Sequence, residues 1–226
     1  MTKSMQAVQA DFDRIALLKE PRWNHNLHYH DYLLRHLPPS MDSALEVGSG
    51  TGQFARLLAA RSRQVLALDL SAVMLREAHL KSAVFPNITY QQADILTTEL
   101  PANHFDAIVS IATLHHLDLD DVLPRLIAAL KPGGVLQYLD LYEVERWQDY
   151  ALSALAAPLS FAFNLRFNGY LMQPAEQRAV WDAHGADERY LTLSQVRAVA
   201  ARWLPGAHIR QHLFWRYSVI WRKALQ

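Results

Sequence analysis

Three glycines and a handful of titratable side chains stand at chemically telling places in the first half of this chain. Glu46 lies inside the short apolar run ALEV, and Gly48, Gly50 and Gly52 follow at every second position before a helical pattern begins near Thr51. Asp69 ends the run QVLALD, Asp94 follows NITYQQA, and His115 and His116 come shortly after FDAIVSI. Glycine permits positive φ and carries no Cβ, so a strand that ends in glycines and becomes a helix presents bare backbone to a ligand. Five of the chain's eight glycines lie in this loop and in the pair Gly133-Gly134. Taken singly, Asp69 or Asp94 could be a helix cap. In succession, each on the exit of a strand, Glu46, Asp69, Asp94 and His115 point to one pocket.

The elements that position these groups alternate regularly. Residues 64–70 read as a buried strand, and Ser71 can cap a helix in which Val73, Leu75 and Leu80 supply apolar contacts. Residues 87–93 form a third strand, and 105–111 a fourth, nearly all apolar as a central parallel strand should be. Asp118, Asp120 and Asp121 open a helix running to Lys131, where negative charge suits the helix dipole. Pro132, Gly133 and Gly134 turn the chain into a fifth strand, VLQYLDLY. Such alternation predicts a doubly wound parallel sheet with helices on both faces, whose ligands sit beyond the carboxyl ends of the strands. Near the end, residues 192–203 read as an amphipathic helix, and 207–214 and 215–222 as two β-rich runs.

Composition narrows the function classes. The chain has 226 residues, 51% of them hydrophobic, enough to bury a substantial core. Lys and Arg (22) balance Asp and Glu (22) and are scattered, which leaves no electrostatic footprint for nucleic acid. With no cysteine, disulfides, thiolate metal sites and cysteine nucleophiles are all removed. Neither a signal-peptide pattern nor a run long enough to cross a bilayer is visible, so a cytoplasmic protein without membrane contact is expected.

A dinucleotide-binding loop would place glycines as G-x-G-x-x-G, but Gln53 occupies the third slot. What fits is E-x-G-x-G-x-G followed by an acid at the end of the second strand. EVGSGTG, ALDLS, QADI, FDAIVSIATLHHL and LKPGGVLQYLDLY together resemble the five motifs of the class I S-adenosylmethionine-dependent methyltransferases, in their small-molecule branch, over residues 43–142. The resemblance implies a seven-stranded mixed sheet of order 3-2-1-4-5-7-6 with an antiparallel seventh strand. It implies S-adenosylmethionine as cofactor and S-adenosylhomocysteine as product. Gly48, Gly50 and Gly52 would let the backbone meet the cofactor, while Glu46 supports the loop or the cofactor's ammonium. Asp69 would accept the ribose hydroxyls and Asp94 the adenine amino group. Ile95 would lie against one face of the ring and Leu70 and Met74 against the other, with Ile111 and Ala112 beside the sulfonium. His115, or its rival His116, would act as general base, with one of the two at most facing the pocket.

Outside the motifs the readings stay open. Residues 1–20 read as an exposed, partly helical lead-in with Phe12, Ile15 and Leu18 at helical spacing. Trp23, His25, His28, Tyr29, His30 and Tyr32 crowd into ten residues, either as a capping amphipathic helix or as a lid that closes over ligand. The spacing of His25, His28 and His30 does not stack all three on one helical face, and no metal is expected. Residues 143–191 carry no motif and read either as an outer-layer helical pair divided at Pro158 or as a substrate-facing insertion. The organisation expected is a helical cap (1–40), a cofactor-binding core (41–142), an insertion on the substrate side (143–191), and a helix with a closing hairpin (192–226). The function expected is methyl transfer to O, N or C of a small molecule by a monomer or homodimer. A protein or RNA methyltransferase, or a non-catalytic cofactor-binding regulator, is the alternative.

Overall fold

The computed structural model describes residues 4–225; residues 1–3 and 226, which belong to the expected cap and closing unit, lie outside the described residues. Seven strands form one sheet in the order β3-β2-β1-β4-β5-β7-β6. They are β1 Met41–Val47, β2 Ser62–Asp69, β3 Ile88–Gln92, β4 Phe105–Ile111, β5 Leu130–Leu141, β6 His208–Gln211 and β7 Arg216–Arg222. The first five are parallel, and β7 runs antiparallel to both β5 and β6, as the motif pattern implied.

Strand side chains alternate between two cores because the pleat has period two. Leu45, Ile108, Leu136 and Tyr138 pack under α5 (Leu119–Ala129) and α8 (Leu193–Trp203), whereas Ala44, Val109, Val135 and Leu139 pack under α2 (His30–Arg35), α3 (Gln53–Ala59) and α6 (Trp147–Phe163). Ser71 caps α4 (Ala72–Lys81) by accepting from Met74 N at 3.0 Å, and Thr192 and Gln195 form a capping box on α8.

Several details depart from the sequence reading. Leu80 is exposed, and Met74, Leu75 and Ala78 are the residues α4 buries. The helix expected to reach Lys131 stops at Ala129, since Leu130 is already paired with Phe105; Gly133, at φ +78°, belongs to a four-residue irregularity inside β5. α6 runs through Pro158 undivided, and its partner in the insertion is α7 (Ala175–Gly185).

The N-terminal lead-in is also different from expectation. It is α1 (Met5–Ile15), with Val8 and Ile15 buried, lying against α4 and α7 over the carboxyl ends of the strands. Residues 23–32 are not one amphipathic helix but a short 3-10 turn, Leu27–Tyr29, started by Asn24, whose Oδ1 accepts from the N–H groups of Asn26 and Leu27. Trp23 stacks on Phe163 at 5.2 Å, and its backbone is bracketed by the Asn168 side-chain amide. The hairpin between β6 and β7 turns through Phe214 and Trp215, both with positive φ (59° and 56°). Two successive left-handed residues suit the twist of a tight hairpin.

Candidate active site

A cavity of about 470 Å³ opens at the carboxyl ends of the strands, beneath α1 and α7. Its glycine-loop side is bordered by Glu46, Gly48, Gly50, Asp69, Leu70, Met74, Asp94, Ile95, Ile111 and Ala112. Ten of the eleven residues that the motifs single out for cofactor are therefore brought together. Gly52 is the exception. A Cβ there would fall 2.1 Å from the Tyr90 hydroxyl, so Gly52 makes room for a neighbouring side chain. Gly48 combines φ +74° with a close approach of Thr113, 2.0 Å from where a Cβ would sit, while a Cβ on Gly50, at φ +51°, would meet only Met74 Sδ, at 4.0 Å.

Charge on this side is acidic. Asp69 accepts from Gly50 N (2.7 Å) and Ser71 N (2.9 Å), so strand β2 and the glycine loop hold its carboxylate in place, and burial pushes its pKa up. Glu46 is buried with no partner on Oε2; burial first, then the charge of Asp69, keeps its carboxyl well above the usual range. Asp94 fixes its own turn by accepting from Leu96 N at 2.9 Å. A carboxylate at each strand exit, an orphaned carboxyl oxygen and a backbone cradle with no Cβ form a donor–acceptor set that fits a zwitterionic, hydroxyl-rich ligand with a positive centre.

The opposite side is built around histidines. Ala112 leaves β4 at φ +52° and starts the turn Leu114–His116, which carries both His115 and His116 to the cavity wall. The expectation that at most one would face it fails because the pair sits on a 3-10 turn, not on a strand whose neighbours alternate. Asp140, at the end of β5, accepts from His115 Nδ1 at 2.6 Å and from its backbone N–H at 3.0 Å. His116 Nδ1 lies 3.3 Å from Glu188, and His184 pairs through Nδ1 with Asp11 of α1 at 3.2 Å. Burial lowers the His116 pKa, with Glu188 opposing; burial pushes Glu188 up, but its histidine contacts outweigh this and hold it low. The nearest ligating atoms of His115, His116 and Glu188 lie within 4.8 Å of one another, a set that could hold a metal ion, which the sequence reading did not foresee. Tyr190 and Arg216 complete this wall.

Of the expected lid residues, only His25 and His30 border the cavity. Trp23, His28, Tyr29 and Tyr32 instead pack behind it: Trp23 and His28 against Phe163 and Phe214, Tyr29 and Tyr32 against His212, with the Tyr29 hydroxyl donating to Leu213 O at 2.7 Å. Aromatic crowding there serves packing. The covering element is α1, through Met5, Val8, Phe12, Ile15 and Ala16. Sequence reading also missed Asp11, Asp140, His184, Glu188, Tyr190 and Arg216. Asp140 and Arg216 carried a signal, a charge inside an otherwise apolar strand; the others, in segments without a motif, carried none.

Residues 44–134 match the methyltransferase domain family. An uncharacterised methyltransferase of Mycobacterium tuberculosis is 35% identical over 204 residues, 88% of this chain and 96% of that one. The malonyl-[acyl-carrier protein] O-methyltransferase of Salmonella typhimurium is 35% identical over 138 residues, 60% of this chain and 54% of the relative. Among solved structures, the N-methyltransferase NodS of Bradyrhizobium japonicum with S-adenosylhomocysteine shares the fold, with a TM-score of 0.65 and 18% identity over 95% of this chain and 97% of NodS. The chain belongs to the class I S-adenosylmethionine-dependent methyltransferases. It is an enzyme, and S-adenosylmethionine is its methyl donor.

Proposed function

We propose that this enzyme methylates a small molecule, with the glycine-loop side of the cavity holding the cofactor and the histidine side holding the acceptor. The observation that carries the reading is the His115–Asp140 pair, 2.6 Å apart on the cavity wall at the exit of β4. Gly48 and Gly50 would receive the cofactor's backbone-facing portion, Glu46 its ammonium, Asp69 its ribose hydroxyls and Asp94 its adenine amino group. Ile95, Leu70 and Met74 would enclose the adenine. The cofactor supplies a methyl group already activated on a sulfonium, so the protein's task is mainly to position and to move a proton.

His115 is suited to that proton. The Asp140 carboxylate can only accept, so Nδ1 carries the hydrogen and Nε2 is left as the basic nitrogen. On taking a proton from the acceptor, the ring would lie between Asp140 and Glu188, whose Oε2 is 3.9 Å from Nε2, and two carboxylates would stabilise the imidazolium. α1, α7 and Tyr190 wall this side, which supports an acceptor of small-molecule size, and the volume is in the range of such sites. No helix among the described residues is long and apolar enough to cross a membrane.

The test is transfer of labelled methyl from S-adenosylmethionine into a metabolite extract by the wild type and by Asp140→Asn. Transfer that drops at least about tenfold with unchanged S-adenosylhomocysteine affinity is expected. Equal transfer by both proteins would remove the pair from the reaction, and no transfer to any extract would favour a cofactor-binding regulator.

A further inference from the structure

The acceptor wall contains one buried cation without an anion. Arg216, the first residue of β7, is 8% exposed and borders the cavity. Its Nε donates to Asn26 Oδ1 at 2.7 Å and its Nη1 to the carbonyls of Phe214 and Trp215 at 3.2 and 3.4 Å. These neutral acceptors fix the plane of the guanidinium and leave Nη2 without a protein acceptor among the described residues. No carboxylate of the described residues lies within salt-bridge distance of it. Asp140 is the nearest counter-charge, but its oxygens are taken by the ring and backbone of His115 and by Leu141 N. Glu188 faces the histidines. Burial lowers Arg216 and the Asp140 charge opposes this; the other groups around it add no negative charge, since burial holds His25 neutral, lowering it to about 4, and raises Tyr29 and Tyr190.

A buried charge without a partner is costly, and proteins ordinarily keep one only when something pairs with it. A guanidinium held by three neutral contacts on the wall of a cavity is an arrangement that can meet a carboxylate or phosphate through its fork. We propose that Arg216 anchors an anionic group of the methyl acceptor, so that the substrate is a small molecule bearing a carboxylate or a phosphate; this rests on the assignment of the histidine side to the acceptor. The cofactor also carries a carboxylate, but the glycine loop expected to hold it lies on a distant strand. In the sheet order β1-β4-β5-β7, three strand spacings separate the glycine loop from β7, about 14 Å at roughly 4.8 Å each.

The experiment is calorimetric titration of the protein saturated with S-adenosylhomocysteine, using acetate, malonate and inorganic phosphate as probes, for the wild type, Arg216→Gln and Arg216→Lys. The wild-type complex should bind at least one probe, with affinity falling about tenfold or more in Arg216→Gln and by less in Arg216→Lys, which keeps the charge but loses the fork. Affinity for S-adenosylhomocysteine should stay within about threefold. Should Arg216→Gln not fold, Arg216→Lys alone decides, by a loss of anion affinity without a loss of cofactor affinity. The inference is overturned if no probe binds the wild type, if the variants bind as well as it does, or if the loss falls on S-adenosylhomocysteine, which would make the cofactor's carboxylate the ligand. Methyl transfer to a neutral acceptor without anion binding would sink this inference and leave the methyl-transfer reading intact. Anion binding without transfer to any acceptor would do the reverse.

Discussion

The side of the cavity proposed for the cofactor is made by four strand exits within residues 46–112, three of them bringing an acid or bare backbone and the fourth Ile111 and Ala112. The acceptor side is assembled from α1, α7, residues 188–190 and the first residue of β7, elements separated by up to two hundred residues of chain. On one side Asp69 and Asp94 accept from the backbone of the loops that leave the strands, as Asp69 does from Gly50. The other is held by side-chain pairs between separate elements: His115 with Asp140, His184 with Asp11, Arg216 with Asn26. Ligand chemistry common to a whole fold can be written into the sheet, whereas chemistry particular to one acceptor has to be written on what covers it.

The sharpest way to separate the two sides is His115→Ala. Turnover should fall roughly a hundredfold or more while S-adenosylhomocysteine affinity is kept, and part of the lost rate should return at higher pH, where the acceptor ionises unaided. Full turnover would mean that the nucleophile needs positioning alone. The reciprocal variant, Asp69→Ala, should weaken S-adenosylhomocysteine at least about tenfold, since each lost charge-assisted hydrogen bond contributes roughly 1.5–3 kcal/mol. Calorimetry showing an unchanged affinity would remove the ribose assignment.

Gly52→Ala sharpens the boundary within the cofactor side itself. The new Cβ meets Tyr90, and φ +75° strains any L side chain, so the cost should appear as stability, on the order of 1–2 kcal/mol from the backbone alone. That corresponds to a Tm lower by about 2–8 °C, with cofactor affinity of the folded protein changed by less than about threefold. An affinity loss matching that of Asp69→Ala would return Gly52 to the cofactor site.

A further test concerns pH. His25 and His30, both on the cavity wall, are lowered by burial to about 4 from 6.5. The unfolded chain takes up these protons near 6.5 and the folded chain only near 4, so stability falls as pH drops through that window, by up to about 1.4 kcal/mol per pH unit for each ring. His30→Asn should flatten the fall of Tm between pH 6.5 and 4; an unaltered slope would exclude His30 as a source.

The sheet order and the cofactor side were legible because their signals are local: glycines at alternate positions, and an acid closing each apolar run. His115 was legible for the same reason. Its partner Asp140 was visible only as a charge within VLQYLDLY, and nothing in that strand says that its carboxylate turns toward a loop 25 residues earlier. His184 and Glu188 meet His116 and Asp11 only because α7 and α1 pack together, a contact that no short pattern records. The residues read as a lid, Trp23 to Tyr32, show the opposite failure. Aromatics and histidines at high density suggested ligand, yet four of the six are spent on Phe163, Phe214 and His212, where they brace the hairpin that carries Arg216.

Helix α1 reaches both sides at once. Asp11 and Asp13, two residues apart and so on different faces of the helix, engage His184 of α7 and the Ser71 cap of α4. Both sides of the cavity thus share one cover, the 11 residues of α1. A change in the seating of α1 therefore bears on both sides of the cavity together.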